Sequence, residues 1–346
     1  MNFKAIVRSD ANSNIGMGHL VRDLELVKKL SQTEQGEFVF FIGGGDKRAR
    51  DFISHQGAFH YIEVPAAGEE EFLTHHLSLL SAQLSIIDVL VKDQEDAYMN
   101  IFSDYSRKVV AITDDSLPRY IKADVVFNGN PNQKESYYQG SNGTHYYVGP
   151  QFFILNPSFA QVNVMHKEIK VNVENILVAF GGADNYNAPL KVAQALAALS
   201  SNAQITFLLS PLYDHYHELN EYLKGSPLHY ETISNVRSVL PLLTKTDLML
   251  CSAGNICFEA SAVGAPLILM NQVQRQNEIA QAFAQKTFVK NLGMVAEVSQ
   301  GKLQETISEV VANHSLRKKM SLHQKQFVDG RGLERVSEII THLFTQ

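Results

Sequence analysis

Residues 3–22 read FKAIVRSDANSNIGMGHLVR. The apolar run Phe3 to Val7 predicts a buried strand. From His19 to about residue 31, Leu20, Leu24, Leu26, Val27 and Leu30 recur at helical spacing and predict an amphipathic helix. Between the two stands Gly16-Met-Gly18-His19. A glycine pair between strand and helix lets the backbone turn tightly and approach a ligand closely. The helix start presents unpaired N–H groups and a positive dipole end, which suit an anion such as a phosphate. His19 lies at that mouth, with Arg8, Asp10 and Arg22 near it in sequence. Imidazole titrates near neutrality, so a general base is placed where an anionic substrate would lie. The plainer alternative is a histidine at an ordinary helix start.

The same alternation continues along the chain. Strands are predicted at 38–42, 61–64, 85–90, 109–113 and 125–127, with helices near 19–31, 47–55 and 70–82. Short apolar strands alternating with helices indicate an α/β domain with a parallel sheet, whose ligands bind beyond the carboxyl ends of the strands. The Gly-Met-Gly-His loop, Asp88, Asp114-Asp115 and Asn128-Gly-Asn130 all fall at such ends. Residues 131–168 are rich in Asn, Gln, Ser, Tyr, Gly and Pro and read as a linker or rim. Asn175 to Phe180 then begins a second α/β plan, with Gly181-Gly182-Ala-Asp184 ending its first strand. Further strands are expected at 205–209, 228–231, 248–251 and 266–270. Helices are expected at 188–199, around 236–243, at 256–263 and 276–286, and in the tail from about 302. The expected domains are 1–158 and 159–346, with the last helix able to pack back on the first. Two such domains suggest a ligand cleft between them.

Composition narrows the class. With 346 residues the chain fits two domains, and 45% hydrophobic with 19% charged residues is ordinary for a globular protein. A net charge of −6 calls for no nucleic-acid partner. The two cysteines, Cys251 and Cys257, are too few for a disulfide framework. No apolar run approaches the roughly 20 residues of a membrane span, and no signal segment opens the chain. The reading is a cytoplasmic protein without stable membrane insertion, monomeric or weakly oligomeric.

Other site chemistries fit poorly. Val21 replaces the third glycine of a dinucleotide fingerprint, and the second strand ends in glycines with no acid for a ribose. The Gly-Lys-Ser/Thr of a phosphate-binding loop is absent, as are Cys-x-x-Cys and His-Glu-x-x-His. His75-His76 and His215/His217 read as solvated, and Asp114-Asp115 suits either Mg²⁺ or a cap. A stronger constellation is Ser252-Ala253-Gly254-Asn255…Glu259. A tight turn opens a helix and places a carboxylate one turn in, where it can accept ribose hydroxyls while loop N–H groups take a diphosphate. Gln274, Gln276 and Asn277 offer amides for sugar hydroxyls. For Glu259 the plainer reading is an acid complementing the helix dipole.

Gly-x-x-x-x-Glu259, the following Ala-x-Gly-x-Pro and the later Gln276-Asn277 resemble the nucleotide-sugar half of GT-B enzymes such as the N-acetylglucosaminyltransferase of peptidoglycan synthesis. Arg8-Ser-Asp10…Ile15-Gly-Met-Gly-His19-Leu-Val-Arg22, Gly149-Pro150…Leu155-Asn-Pro157-Ser-Phe159 and Phe180-Gly-Gly-Ala-Asp184 resemble the UDP-sugar hydrolase of pseudaminic acid biosynthesis and its spore-coat polysaccharide relatives. The likeness runs from about residue 4 to about residue 285. Leu90 stands where that family has a tyrosine between two acids, here Asp88 and Asp93, and Asn156 stands where it more often has arginine.

The resemblance implies a GT-B-like α/β fold, two Rossmann-like domains facing each other across a cleft. It implies a hydrolase, needing neither metal nor cofactor, that cleaves a UDP-linked 2,4-diacetamido-trideoxy amino sugar at the anomeric carbon, with inversion. The pathway implied is that of nonulosonic acids or surface polysaccharides. His19 becomes the base for water, with Asp10 or Asp88 orienting it. Arg8, Gly16, Gly18 and Arg22 line the sugar side. Gly181, Gly182, Ala253, Gly254, Asn255, Gln276 and Asn277 take the diphosphate or sugar, Glu259 takes the ribose, and Val236 lies beside the uracil. An inverting GT-B glycosyltransferase is the alternative enzyme, and a non-catalytic nucleotide-sugar binder the alternative outside enzymology.

Overall fold

A computed structural model describes residues 3–11, 17–33, 36–44, 47–54, 59–89, 96–115, 121–138, 143–181, 184–210, 213–234 and 236–344. Two compact units emerge, one from Met1–Asn156 with Arg331–Gln346, the other from Pro157–Gly330.

The first unit runs β1 (Phe3–Asp10), α1 (Gly18–Leu30), β2 (Gly36–Gly43), α2 (Lys47–Ser54), β3 (His60–Val64), α3 (Glu69–Leu80), β4 (Ala82–Asp88), α4 (Asp96–Tyr105), β5 (Ser106–Ile112), β6 (Val125–Asn128) and β7 (His145–Val148). The strands form one sheet in the order β3-β2-β1-β4-β5-β6-β7, and every pairing is parallel. Parallel neighbours need crossovers, and the crossover helices cover both faces, which is why strands such as Ala5–Val7 and Leu84–Ile87 are nearly continuous apolar runs. Alternation along β1 sends Ala5 and Val7 to the α1 side, with Leu84 and Ile86, and sends Ile6 to the opposite side, with Leu73, Leu77 and Phe102 of α3 and α4.

The second unit runs α5 (Pro157–Asn163), β8 (Asn175–Ala179), α6 (Ala188–Ala198), β9 (Gln204–Leu209), α7 (Tyr216–Lys224), β10 (His229–Ser234), α8 (Leu240–Lys245), β11 (Leu248–Cys251), α9 (Asn255–Val263), β12 (Leu267–Asn271), α10 (Gln274–Thr287), β13 (Lys290–Met294), α11 (Gln300–Ala312) and α12 (His314–Phe327). Its sheet order is β10-β9-β8-β11-β12-β13, again parallel. The last helix, α13 (Gly332–His342), lies in the first unit and buries Leu333, Val336 and Ile340 in the core shared with Leu20, Leu24 and Val27 of α1.

Three sequence expectations change. The segment 131–168 is not all linker, since it contains the edge strand β7 and helix α5. Residues 236–239 precede α8 and are not helical, because Pro241 opens the helix from within its first turn. Helices α4 and α7 and strand β13 add to the expected elements.

Candidate active site

Strand order reverses between β1 and β4, and Ser9 of β1 pairs with Asp88 of β4 at that point. In doubly wound sheets this is where a crevice opens beyond the strand ends. His19 is the second residue of α1, and its Nδ1 lies 2.7 Å from Asp88 Oδ1. Asp88 also accepts from Nε and Nη2 of Arg22. Arg22 Nη1 donates to Asp114 Oδ1 at 2.7 Å, just beyond β5, and His19 Nε2 stands 3.8 Å from Asp114 Oδ2. Asn130 and Asn128 brace that corner by donating to the carbonyls of Asp114 and Asp115. His19 and Arg22 meet Asp88 together because they are three apart on α1.

This geometry sets the protonation pattern. Burial disfavours the Asp88 carboxylate, but Arg22 and His19 outweigh it and hold the carboxyl well below the usual carboxylate range. Burial likewise disfavours the His19 imidazolium. Asp88 and Asp114 overcome both that and the Arg22 charge, so His19 titrates above its ordinary value of 6.5. Because Nδ1–H donates to the Asp88 carboxylate, neutral His19 carries its lone pair on Nε2.

Arg8 and Asp10 belong to another cluster. As even-numbered residues of β1 they share the face of Ile6, whereas Asp88 shares the face of Leu84 and Ile86 against α1. Arg8 donates to Asp10 Oδ1 at 2.7 Å and to Glu69 Oε1 at 2.7 and 3.0 Å, and Tyr98 donates to the same Glu69 oxygen at 2.7 Å. Gly43 leaves room for this, since a Cβ there would fall 2.5 Å from Asp10 Oδ1. Of the two carboxylates expected to orient His19, Asp88 does so and Asp10 serves Arg8. Arg8 is buried, and its guanidinium bonds to Asp10, Glu69 and the Ser9 carbonyl. Gly18 is the first residue of α1, while Gly16, Leu90 and Asp93 lie outside the described residues.

In the second unit the reversal falls between β8 and β11, bridged by Ser252 Oγ donating to the Phe180 carbonyl at 3.0 Å. Ala253 N–H donates to Asn271 Oδ1 at 3.1 Å, and Gly254 N–H to the Ser252 carbonyl at 2.9 Å. Both groups are therefore committed to holding the turn. The N–H groups of Asn255 and Ile256 open α9 without a hydrogen bond among the described residues, and they form its anion-facing end. Glu259 is half-buried, one turn in. No donor pairs with it among the described residues, and burial pushes its carboxyl up to about 7.

Asn277 and Gln276 are partly spent on structure. Asn291 Nδ2 donates to Asn277 Oδ1 at 3.1 Å, Asn271 Nδ2 donates to Asn291 Oδ1 at 3.0 Å, and Gln276 Oε1 accepts from Gln272 N–H at 2.9 Å. Gly181 follows β8 with φ +66° and open space where a Cβ would stand, Val236 follows the edge strand β10 half-buried, and Gly182 lies outside the described residues. Among the described residues no group of three or more His, Cys, Asp or Glu is arranged to hold a metal ion, and no helix is long and apolar enough to cross a membrane. The residues that sequence reading did not assign to the site are Asp23, Asp114, Asn271 and Asn291. Asp114 was signalled by its place at a strand end, and Asp23 by lying four residues past His19.

Residues 175–335 match the model of the glycosyltransferase family 28 C-terminal domain. A solved structure of MurG from Acinetobacter baumannii superposes with a TM-score of 0.73 over 98% of this chain and 99% of that one, at 12% identity. The calicheamicin glycosyltransferase CalG4 superposes with a TM-score of 0.71, covering 100% and 99%, at 13% identity. The chain has the GT-B fold. Among sequence relatives of this GT-B protein, the spore coat polysaccharide biosynthesis protein SpsG of Bacillus subtilis is 25% identical, covering 98% of each chain. The UDP-2,4-diacetamido-2,4,6-trideoxy-beta-L-altropyranose hydrolase of Campylobacter jejuni is 23% identical over 82% of this chain and 97% of its own. The expected resemblance to the hydrolase and its spore-coat relatives is thus seen in sequence, and the expected GT-B fold in the solved structures.

Proposed function

We propose that this GT-B protein hydrolyses a UDP-linked amino sugar in surface polysaccharide or nonulosonic acid biosynthesis. The observation that carries the reading is the His19–Asp88 pair at the strand reversal of the first unit. Asp88 fixes the tautomer, so His19 Nε2 takes a proton from water as the water oxygen bonds to the anomeric carbon. The bond from that carbon to the diphosphate oxygen breaks, and UDP leaves with the electron pair. The free N–H groups at the start of α9 stabilise the departing charge by preorganised electrostatics. Glu259, which no donor pairs with among the described residues, supplies acceptors for the two ribose hydroxyls. The relatives named for a UDP-sugar hydrolase and for spore-coat polysaccharide synthesis support this choice of substrate class.

The same base could serve a sugar or lipid hydroxyl, and the match to a glycosyltransferase domain favours that second reading. Incubation with a panel of UDP-linked amino sugars, without acceptor, separates them by NMR. Free inverted sugar with UDP is expected from a hydrolase, whereas UDP binding without release points to a transferase. His19→Ala should lower turnover by about 10²–10⁴-fold, the usual worth of a general base, with UDP affinity nearly unchanged. A parallel loss of UDP affinity would remove His19 from the chemistry.

A further inference from the structure

Asp23 lies one turn past His19 on α1 and is completely buried. Among the described residues no well-aligned hydrogen bond reaches either carboxyl oxygen or Ser9 Oγ, although Ser9 lies close enough to favour the carboxylate slightly. The groups around it come from three elements. Its own helix brings His19 and Arg22, β4 brings Asp88, and β1 brings the uncharged Ser9. Asp114 joins through Arg22. Arg22, the nearby cation, gives Nε and Nη2 to Asp88 and Nη1 to Asp114, so its bonds go elsewhere.

A fully buried carboxylate with no well-aligned donor among the described residues, set beside a second carboxylate, is strongly disfavoured. Asp88 is the member that ionises, because it holds the hydrogen bonds of His19 and Arg22. Those three bonds use three of about four acceptor sites on its two oxygens, so one remains for an acid O–H. We propose that Asp23 is a resident neutral carboxylic acid, a positioning residue whose proton is directed at the Asp88 carboxylate. With Asp88 and Asp114 ionised and Arg22 cationic, the cluster then carries a single negative charge when His19 is neutral. Burial and the charge of Asp88 raise Asp23 well above the ordinary carboxyl range, outweighing Arg22 and Ser9, which favour the carboxylate. The consequence for catalysis rests on reading His19 as the base. A second anion beside the imidazole would favour the imidazolium and withdraw the base at neutral pH. The protonation of Asp23 itself does not depend on that reading.

The test is carbon NMR of the full chain labelled at the aspartate carboxyls. At pH 7 one aspartate resonance should keep its protonated position, and it should vanish in Asp23→Asn. In Asp88→Asn the same carboxyl should ionise at a pH lower by at least one unit, because the like charge is gone. The His19 imidazole should titrate within about 0.3 pH unit of wild type in Asp23→Asn, since one neutral group replaces another. Absence of a protonated aspartate at pH 7, or a fall of the His19 midpoint by one unit or more in Asp23→Asn, overturns the proposal. If Asp23→Asn does not fold, the wild-type and Asp88→Asn titrations decide alone. No arm reads turnover, so failure of the hydrolase reading leaves the result intact.

Discussion

Glu259 and Asp88 are two carboxyls with opposite fates, and their surroundings explain the difference. Asp88 is more deeply buried but carries hydrogen bonds from a guanidinium and an imidazole, so it ionises readily. Glu259 has no such partners among the described residues, and burial lifts its carboxyl from 4.5 to about 7. The sign for stability follows. The folded chain holds this proton more tightly than the unfolded one, so stability is fully present below pH 4.5 and is lost as pH rises toward 7. Glu259→Gln should therefore raise stability at pH 8 by about 1–3 kcal/mol while changing little at pH 4, as read by urea unfolding. With Glu259 as the proposed acceptor of the ribose hydroxyls, UDP affinity in wild type should rise between pH 6 and pH 8 as the carboxyl ionises, and calorimetry should find that dependence flattened in the variant. The place of His19 in the first turn of α1 and of Glu259 one turn into α9 was legible in the sequence, because helical spacing marks where each helix begins. Nearness in sequence does not bring Arg8 and Asp10 to His19, because strand alternation turns residues 8 and 10 away from residue 9, which pairs with Asp88.

At the scale of elements, the turn before α9 is held from below by amides. Asn277, Asn291 and Asn271 form a ladder that ends on the Ala253 N–H, so α10 and β13 jointly aim the start of α9. Asn271→Ala leaves that buried N–H unpaired, at a cost of about 1–3 kcal/mol. The expected result is roughly tenfold weaker UDP binding with little change in the pH dependence set by Glu259. Unchanged affinity would show that the turn holds its shape without the ladder. None of this ladder was legible in the sequence, since an asparagine reads equally as a ligand for sugar or as a brace. Strand β13 was illegible for a related reason. All five of its residues are half-buried and Gly293 has φ +89°, so it carries neither a continuous apolar run nor an alternation. Strand β7 reads His-Tyr-Tyr-Val among polar neighbours and pairs only with β6, so an edge strand resembles a loop.

At the scale of the molecule, the chain closes on the unit where it began. Gly332 opens α13 so close to Phe153 that a Cβ would fall 2.6 Å from that residue's carbonyl carbon. Leu333, Val336 and Ile340 then cover the core beside α1. Burying an aliphatic side chain is worth about 1.5–3 kcal/mol. Truncation after residue 330 should thus destabilise the first unit by at least ~5 kcal/mol and leave the second largely intact. Hydrogen exchange would show the loss in α1 and β1, and retained protection there would contradict the assignment.

The α/β class, the two parallel sheets and the histidine in the first turn of α1 were all readable in one dimension. Hydrophobic period and turn chemistry are local, and local patterns survive in one dimension. The tertiary structure alone decided which carboxylate meets His19, that Arg8 is internally paired, that Asn271 braces the turn before α9, and that Asp23 sits buried without a donor. Each of those depends on strand register and crossover direction, which bring together residues far apart in the chain, and whether a polar side chain faces a ligand or a neighbour is settled only when those neighbours are in place.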